Sequence, residues 1–339
     1  MSEEIEAVLG QYDVGQCQTW RRIEHGYVNE KWLVEASSGR YLLKRRHPSL
    51  CQPDLVAAQH ALMEHLSAAE FPAPEIVRTR RRETSVFADG HVYELQRQIP
   101  GKLGDRMCPA QVDAAARALG RYHKLVDGFD HPGFHRERRR CGLMALAGIL
   151  ERLDEACRRP LPARARDILS RLDDKAQELA VHLSELDSLP HLVIHGDYYA
   201  GNILFRDDRV TGVVDYDKAH WSARALEVAE ATIYFAQEPT ARFQRIVYSS
   251  VLDLDSLRRF LTAYAEIVCL TKAEIRALPH LVGTVWLCAS LDPPLAPRLR
   301  LDGDLEPLLE VLALAEWARD HRREIENTGF VVFGMPNRG

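Results

Sequence analysis

The sequence predicts an α+β protein with two lobes: a small, β-rich N-terminal lobe over residues 1–100 and a larger, mainly helical C-terminal lobe over residues 101–339. Short apolar runs joined by polar turns dominate the first hundred residues, as in antiparallel sheets. Alanine-rich segments with helical periodicity dominate afterwards. Pro100-Gly101 lies at the boundary between these two sequence patterns and is therefore the predicted hinge between the lobes.

The composition excludes several classes of protein. Hydrophobic residues make up 46% and charged residues 27%, as in ordinary globular chains. The net charge of −5 gives no overall positive field, so we expect no nucleic-acid partner. No apolar run approaches the ~18–20 residues of a membrane span, so no membrane association is expected. The pattern gives no indication of an oligomeric state.

The seven cysteines are scattered and form no Cys-x-x-Cys pair. This spacing predicts neither a disulfide framework nor a zinc site. A reducing, cytoplasmic location is therefore expected. The acidic start MSEEIEAVLG lacks the basic region of a secretory signal peptide, which agrees with that expectation.

The elements of the N-terminal lobe follow from local pattern. Residues 32–34 and 41–43 are strand-like runs joined by a polar turn, which predicts a hairpin. A second hairpin is predicted over 86–95, with its turn at Asp89-Gly90. Residues 53–69 place their leucines on one side of a helical wheel and are predicted to be a helix.

The C-terminal lobe is predicted to be helical over 109–126, over most of 143–187, and again from 226 to about 323. Short strands and loops are predicted between 190 and 219. They place polar residues at the ends of apolar runs, where a rigid scaffold can present side chains to a ligand.

The chemistry is concentrated in His-Gly-Asp-Tyr-Tyr-Ala-Gly-Asn over 195–202 and Gly-Val-Val-Asp-Tyr-Asp over 212–217. Asp197 precedes Asn202 by five positions, and Asp215 follows Asn202 by thirteen. Phosphoryl transfer requires a carboxylate near the attacking hydroxyl and oxygen ligands for Mg²⁺. An Asp five residues before an Asn, with a second Asp beyond a short hairpin, is the kinase arrangement. Asp197 is therefore predicted as the catalytic base, and Asn202 and Asp215 as Mg²⁺ ligands.

These motifs resemble the aminoglycoside phosphotransferase/choline kinase-like superfamily, whose members are relatives of protein kinases and mostly phosphorylate small hydroxyl compounds. The His-Gly-Asp form, with Gly where protein kinases have Arg, is typical of that family. Within the superfamily, the sequence pattern of the chain is most similar to the spore-coat kinase and type II homoserine kinase branches. The resemblance covers most of the chain and is most specific over 190–220. It implies a bilobal protein-kinase-like fold with ATP and Mg²⁺ as cofactors.

The resemblance also implies a nucleotide site in the N-terminal lobe. His-Gly-Tyr-Val-Asn over 25–29 matches the loop over the phosphates, with Gly26 and Asn29 as its candidate binding residues. Lys44 matches the lysine that pairs with the α- and β-phosphates. Arg45 and Arg46 follow it directly, so the assignment can slip by one or two positions. The strand over 93–99 resembles the hinge strand.

In that hinge strand, backbone groups near Arg97 and Ile99 are expected to bind the adenine edge. In the kinase fold the lysine is held by a Glu on the next helix, and here the sequence departs from the pattern. Gln59 lies at the centre of the apolar face of the 53–69 helix, and Glu64 points away from it. Gln59 is therefore predicted to contact Lys44.

Two alternatives for that position stay open. Gln59 is merely buried at an interface, or the helix register differs and Glu64 is the lysine's partner. Asp217 stands two residues beyond Asp215 and is expected on the same side of a strand. It is predicted either to act beside the metal or on a second metal, or to form a salt bridge with nearby Lys218 or Arg224.

Roles are also predicted for a glutamate, two histidines and two arginine clusters. Glu227 occupies the place where the family usually has an Asp heading a helix, and it is a candidate for fixing the catalytic loop. His123 and His195 are predicted to be structural. The arginine clusters within 78–82 and 136–140 are solvated loops or contacts for a negatively charged partner.

The predicted function is ATP- and Mg²⁺-dependent transfer of the γ-phosphate to a hydroxyl of a small molecule such as an amino alcohol, a sugar or an antibiotic-like compound. Two alternatives remain. One is a kinase for Ser/Thr of a peptide or protein. The other is an inactive nucleotide-binding pseudokinase, which the Gln59 departure favours and the intact Lys44, Asp197, Asn202 and Asp215 oppose. The C-terminal lobe carries no motif that names the acceptor.

Overall fold

The structure of the chain is a computed structural model. It describes residues 2–24, 28–105, 108–135, 143–158, 160, 162–183, 186–236, 251–291 and 306–336. The described helices are, in chain order, α1 (Ser2–Leu9), α2 (Pro53–Ala68), α3 (Pro109–Leu125), α4 (Pro132–His135), α5 (Leu143–Cys157), α6 (Ala163–Leu183), α7 (Arg224–Phe235), α8 (Leu254–Ala265), α9 (Lys272–Leu291), α10 (Glu306–Asp320) and α11 (Arg322–Val332). The described strands are β1 (Cys17–Ile23), β2 (Glu30–Ala36), β3 (Gly39–Arg45), β4 (Ile76–Val77), β5 (Val86–Ala88), β6 (His91–Arg97), β7 (Lys102–Leu103), β8 (His191–Ile194), β9 (Ile203–Arg206), β10 (Arg209–Val213) and β11 (His220–Ala223).

The chain forms two compact units, one rich in strands and one mainly helical, which confirms the predicted fold class. The first unit comprises Met1–Gly104, Gly128–Arg136 and Gly201–Ala219. The second comprises Asp105–Asp127, Glu137–Ala200 and His220–Gly339.

These limits differ from the predicted division at 100/101 because the hairpin β9–β10 folds with the N-terminal segment. β7 pairs with β9 through Lys102 and Phe205, so the first unit continues to Gly104. In addition, the Val213 N–H donates to the Pro72 carbonyl at 2.8 Å. The part of the motif that carries Asn202 and Asp215 therefore belongs to the first unit, whereas Asp197 belongs to the second.

The first unit is built on an antiparallel sheet with the strand order β1-β2-β3-β6-β4. β5 pairs with the N-terminal part of β6. The predicted hairpins over 32–43 and 86–95 are β2–β3 and β5–β6. β3 lies in the middle of the sheet, bonded to β2 on one side and β6 on the other. This central strand carries Lys44.

One face of this sheet is apolar and is covered by α1. Ile5, Val8 and Leu9 of α1 form one buried cluster with residues such as Trp32 and Leu43 of the sheet. Helix α1 was not among the predicted elements. The spacing of Ile5, Val8 and Leu9 is the signal that identifies it, since apolar residues three or four apart share one helix face.

Helix α2 matches the predicted helix over 53–69 within one residue. It begins with Pro53, whose fixed φ suits a first helical position. Its buried side includes Val56, Leu62 and Leu66, with Gln59 among them, as the wheel predicts.

The second unit is mainly helical, with the two-stranded sheet β8–β11 at the start of the catalytic motif. Helix α3 matches the predicted helix over 109–126, and it packs against α8, while α7 packs against α9. Among the described helices, none combines the length and apolar character required to cross a lipid bilayer.

Candidate functional site

The first unit holds a compact set of three cations and three carboxylates, which we call the charged cluster. It consists of Lys31, Lys44, Arg46, Glu94, Asp215 and Asp217. The sheet fixes its geometry, because Lys44 on β3 lies directly opposite Lys31 on β2 and Glu94 on β6. Directly paired residues share a sheet face. All three side chains therefore lie on the face that the apolar cluster does not occupy.

Lys44 is the centre of this cluster. Its Nζ lies 2.6 Å from Asp217 Oδ1, 3.1 Å from Asp215 Oδ1 and 3.6 Å from Glu94 Oε1. Its side chain is 3% exposed, and such burial disfavours an ammonium ion. The surrounding carboxylates outweigh this effect and raise the pKa of Lys44 above its usual value. Lys44 is therefore a permanent cation over the physiological range.

Asp215 is positioned by the hairpin β9–β10. The Val214 N–H donates to the Asn202 carbonyl at 2.9 Å, so Asn202 and Asp215 flank the open end of this hairpin. Asp215 has a φ of +72°, in the left-handed region that Asp and Asn tolerate better than most residues. Such backbone outliers cluster at functional sites. The hairpin thus brings the backbone of Asn202 and of Asp215 to the same end of the β9–β10 pair.

The two carboxylate oxygens of Asp215 contact different lysines. Oδ1 contacts Lys44, and Oδ2 accepts from Lys31 Nζ at 2.7 Å. Burial by itself would raise the pKa of Asp215, but Lys44 and Lys31 outweigh it and hold that pKa well below its usual range. Asp215 is therefore an anion at any physiological pH, as a metal ligand must be.

Asp217 is buried in the cluster and bonds to Lys44 and to the Asn29 amide. Arg224, one of the two residues predicted as an alternative salt-bridge partner of Asp217, pairs instead with Glu274 in the second unit. Burial raises the pKa of Asp217, as do the nearby carboxylates, against the effect of Lys44. Its action on a metal stays a prediction.

Asn29 joins the start of β2 to this cluster. Its amide donates to Asp217, and its Oδ1 accepts from the His47 backbone N–H at 2.8 Å. The side chain is thus engaged within the first unit, and nucleotide binding by Asn29 stays a prediction. Gly26 lies outside the described residues.

The predicted contact between Gln59 and Lys44 is wrong. The Gln59 amide oxygen accepts from Arg46 Nη1 at 2.6 Å, and its amide nitrogen donates to the Asp217 carbonyl at 2.8 Å. The reason is that Lys44 already faces Glu94 across the sheet, and carboxylates bind an ammonium more strongly than an amide does. Glu64 is exposed and pairs with Arg78, so it is no partner of Lys44 either.

Glu94 is the carboxylate that sequence reasoning missed. It is completely buried and accepts from Arg46 Nε at 2.6 Å, with His60 Nε2 at 2.8 Å. Burial opposes its ionisation, but Arg46 and Lys44 hold the pKa of Glu94 well below its usual range. The carboxylates around Lys44 therefore come from strand β6 and from residues 215 and 217 rather than from α2. Arg46 takes the position beside Gln59 that the lysine was predicted to hold.

This arrangement predicts a structural role for Gln59. In a Gln59→Leu variant, Arg46 Nη1 loses its short bond inside a buried cluster, and the free energy of unfolding is expected to fall by about 1–3 kcal/mol. Urea unfolding followed by circular dichroism measures this loss. Gln59→Glu keeps an acceptor for Arg46 and serves as the matched variant. A Gln59→Leu protein as stable as wild type would show that the amide contributes no net stability.

Two backbone N–H groups of the predicted hinge strand are bonded to neighbouring backbone carbonyls. The Arg97 N–H donates to the Glu75 carbonyl at 2.9 Å and the Gln98 N–H to the Arg40 carbonyl at 3.0 Å. The Arg97 N–H is therefore used within the first unit, and an adenine contact by backbone groups near Arg97 stays a prediction. Ile99 stays a predicted backbone contact. Its side chain packs on Gly212, where an added Cβ would lie 2.9 Å from Ile99 Cγ2.

In the second unit, Asp197 follows β8 and is half-buried. The residue before it, Gly196, has a φ of +73°, which suits glycine. The Gly196 N–H donates to Glu227 Oε1 at 2.7 Å, so Glu227 contacts the catalytic loop, in agreement with its predicted position.

A buried chain of hydrogen bonds supports Glu227. Its Oε2 lies 2.8 Å from His123 Nε2, and His123 Nδ1 lies 2.8 Å from the Tyr264 hydroxyl. Burial opposes ionisation of Glu227, but the His123 bond outweighs it and lowers the pKa of Glu227. His123 thus has the structural position that the sequence predicted.

Replacing Glu227 by Gln is expected to lower kcat by roughly tenfold to a hundredfold, because small displacements of a catalytic group are costly. The KM for nucleotide is expected to stay near its wild-type value. The substitution alters the contact of residue 227 with the Gly196 N–H and changes no residue of the charged cluster. Steady-state kinetics measures both. Glu266→Gln is the control, because Glu266 forms an exposed pair with Arg117 in the same unit. A kcat equal to wild type would contradict this positioning role.

Comparison with known proteins shows the family of the chain. The model of a family described as "Phosphotransferase enzyme family" matches residues 19–260. A homoserine kinase of Parvibaculum lavamentivorans is 28% identical over 280 residues, covering 82% of this chain and 81% of that protein. A homoserine kinase of Phenylobacterium zucineum is 26% identical over 282 residues, covering 82% and 80%.

Solved structures show the same fold at low identity. An aminoglycoside phosphotransferase from Alicyclobacillus acidocaldarius aligns with a TM-score of 0.65 at 17% identity, over 96% of both chains. A microcompartment-associated aminopropanol kinase aligns with a TM-score of 0.61 at 14% identity, over 98% of this chain and 100% of that one.

These similarities confirm the predicted superfamily and support its homoserine kinase branch. The family model spans the charged cluster and Asp197 together. The predicted enzyme class, a phosphotransferase with a hydroxyl acceptor, is confirmed, and the chain belongs to the phosphotransferase enzyme family.

Proposed function

We propose that this protein transfers the γ-phosphate of ATP, with Mg²⁺, to the hydroxyl group of a small acceptor that also carries an amino group. The observation that carries the proposal is the charged cluster. It holds a permanently charged lysine against Asp215, which follows the hairpin whose open end also carries Asn202. Phosphoryl transfer depends on such positioned charges more than on covalent chemistry by the protein.

The residues of the first unit suit a nucleotide with its metal ion. Asp215 offers carboxylate oxygens and Asn202 an amide oxygen, and Mg²⁺ is usually held by one or two carboxylates together with substrate phosphates. When bound, Mg²⁺ neutralises negative charge on the triphosphate. Lys44 is the residue that would pair with the α- and β-phosphates.

Asp197 is the proposed base in the second unit. Its carboxylate would accept the proton of the acceptor hydroxyl as that oxygen attacks the γ-phosphate in line. Glu227 and His123 support the backbone of Gly196 directly before it. This support suits the Asp197 carboxylate, because a catalytic group must be held rigidly to act.

The similar proteins support the amino-alcohol class of acceptor. The two relatives described above are named homoserine kinases and match most of this chain as well as most of their own length. Homoserine and aminopropanol share a primary or secondary hydroxyl a few bonds from an amino group. We therefore expect an acceptor with that pair of groups. The cytoplasmic location expected from the cysteines stays part of this proposal.

The test is an ATP-consumption assay with Mg²⁺ against separate acceptors: L-homoserine, ethanolamine, 1-amino-2-propanol, an aminoglycoside, a hexose and a Ser/Thr peptide. Product identity is checked by ³¹P NMR. We expect turnover with at least one amino alcohol and at least about tenfold lower kcat/KM with the hexose and the peptide. Turnover with the peptide alone would show that the protein-kinase alternative is right. Nucleotide binding without turnover on any acceptor would favour the pseudokinase.

A further inference from the structure

Lys31 has a position that the proposed function does not use. It lies directly opposite Lys44 across strands β2 and β3, on the same sheet face. Like charges placed opposite each other in a sheet destabilise it unless an anion lies between them. Asp215 is that anion, with Oδ2 at 2.7 Å from Lys31 Nζ and Oδ1 at 3.1 Å from Lys44 Nζ.

The two lysines differ in how they are held. Lys44 has a side chain 3% exposed and contacts Asp215, Asp217 and Glu94. Lys31 has a side chain 19% exposed, and the carboxylate that it contacts within the described part of the chain is Asp215. Lys31 is thus the more accessible cation, and its charge compensation in this structure comes from the residue that is predicted to hold Mg²⁺.

We propose that Lys31 is a second phosphate-binding cation, which contacts the polyphosphate chain of the nucleotide together with Lys44. This inference rests on the proposed function and adds a residue to it. When the oxygens of Asp215 hold Mg²⁺, less of their negative charge is left to compensate the positive charge of Lys31. The polyphosphate is then the anion that keeps Lys31 and Lys44 together on one sheet face. A lysine amine suits this task because it is a flexible point charge.

The experiment is a calorimetric titration of ATP, ADP and AMP, at saturating Mg²⁺, into wild type, Lys31→Gln and Lys31→Arg. In Lys31→Gln we expect the Kd for ATP to rise by about tenfold, the loss expected for one charge-assisted contact. The Kd for AMP is expected to change by less than about twofold, because AMP lacks the polyphosphate. Lys31→Arg keeps the charge and is expected to recover most of the ATP affinity. Arg40→Gln removes a cation from an exposed pair at the other end of the same hairpin and is the control.

Three results would overturn the inference in distinguishable ways. An ATP affinity in Lys31→Gln equal to wild type would show that Lys31 only restrains Asp215. Equal losses for ATP and AMP would show general damage to the site. If wild type binds none of the three nucleotides, the proposed function fails, and this inference fails with it.

Discussion

An Asp197→Asn variant is expected to lose about a hundredfold to ten-thousandfold in kcat, the range that a positioned general base contributes. The substitution preserves the shape of the side chain but removes its ability to accept the hydroxyl proton. The KM for ATP is expected to change by less than about twofold, since the loss falls on the transition state. Steady-state kinetics with the acceptor identified in the assay above separates the two quantities.

Asp187→Asn is the matched control for that variant. It makes the same carboxylate-to-amide change at an exposed position shortly before β8, in the same unit. We expect it to behave as wild type. If Asp197→Asn keeps a tenth or more of the wild-type kcat, the assignment of the base to Asp197 is wrong.

The second large effect concerns stability. Glu94→Leu removes the carboxylate from a buried ion pair with Arg46 and leaves the charge of Arg46 without its closest partner. Breaking such a pair from one side costs about 3–5 kcal/mol. The free energy of unfolding from urea denaturation is therefore expected to fall by that amount. The exposed pair of Glu75 with Arg97 gives the control Glu75→Gln, for which less than about 1 kcal/mol is expected.

A double variant separates lost charge from lost packing. Arg46→Met with Glu94→Leu removes both members of the pair, and replacing a whole buried pair by apolar groups is often neutral. We expect the double variant to be more stable than Glu94→Leu alone. A Glu94→Leu protein within about 1 kcal/mol of wild type would contradict the importance of this pair.

The loss of stability in Glu94→Leu is expected to depend on pH. Because the pKa of Glu94 is lowered in the folded protein, its contribution to stability is present above the unfolded pKa of about 4.3 and is lost as the pH falls below it. The difference between wild type and Glu94→Leu is therefore expected to stay constant near neutrality and to shrink in acid.

Local pattern predicted most of the elements that position the site. The hairpins β2–β3 and β5–β6, helix α2 and the strands around Asp215 follow from alternation, turn residues and helical periodicity, which act over a few residues. The residue order of the motif predicts Asp197, Asn202 and Asp215 as site residues, because kinase chemistry requires that set of groups.

What the sequence did not predict depends on contacts between distant segments. The pairing of Lys44 with Glu94 depends on the register between the β2–β3 and β5–β6 hairpins, which no local pattern reports. For that reason the sequence predicts the lysine partner on α2, at Gln59, and not on β6. The inclusion of β9–β10 in the first unit likewise depends on β7 pairing with β9, more than one hundred residues away in sequence.

The most direct test of the charged cluster as a Mg²⁺-nucleotide site is a titration of ATP into wild type and Asp215→Asn, each with and without Mg²⁺. In wild type, Mg²⁺ is expected to tighten ATP binding by at least about tenfold, because it neutralises the repulsion between Asp215 and the triphosphate. In Asp215→Asn, ATP without Mg²⁺ is expected to bind as well as or better than in wild type, and the tightening by Mg²⁺ to disappear. The same Mg²⁺ dependence in both proteins would contradict the account and place the metal elsewhere.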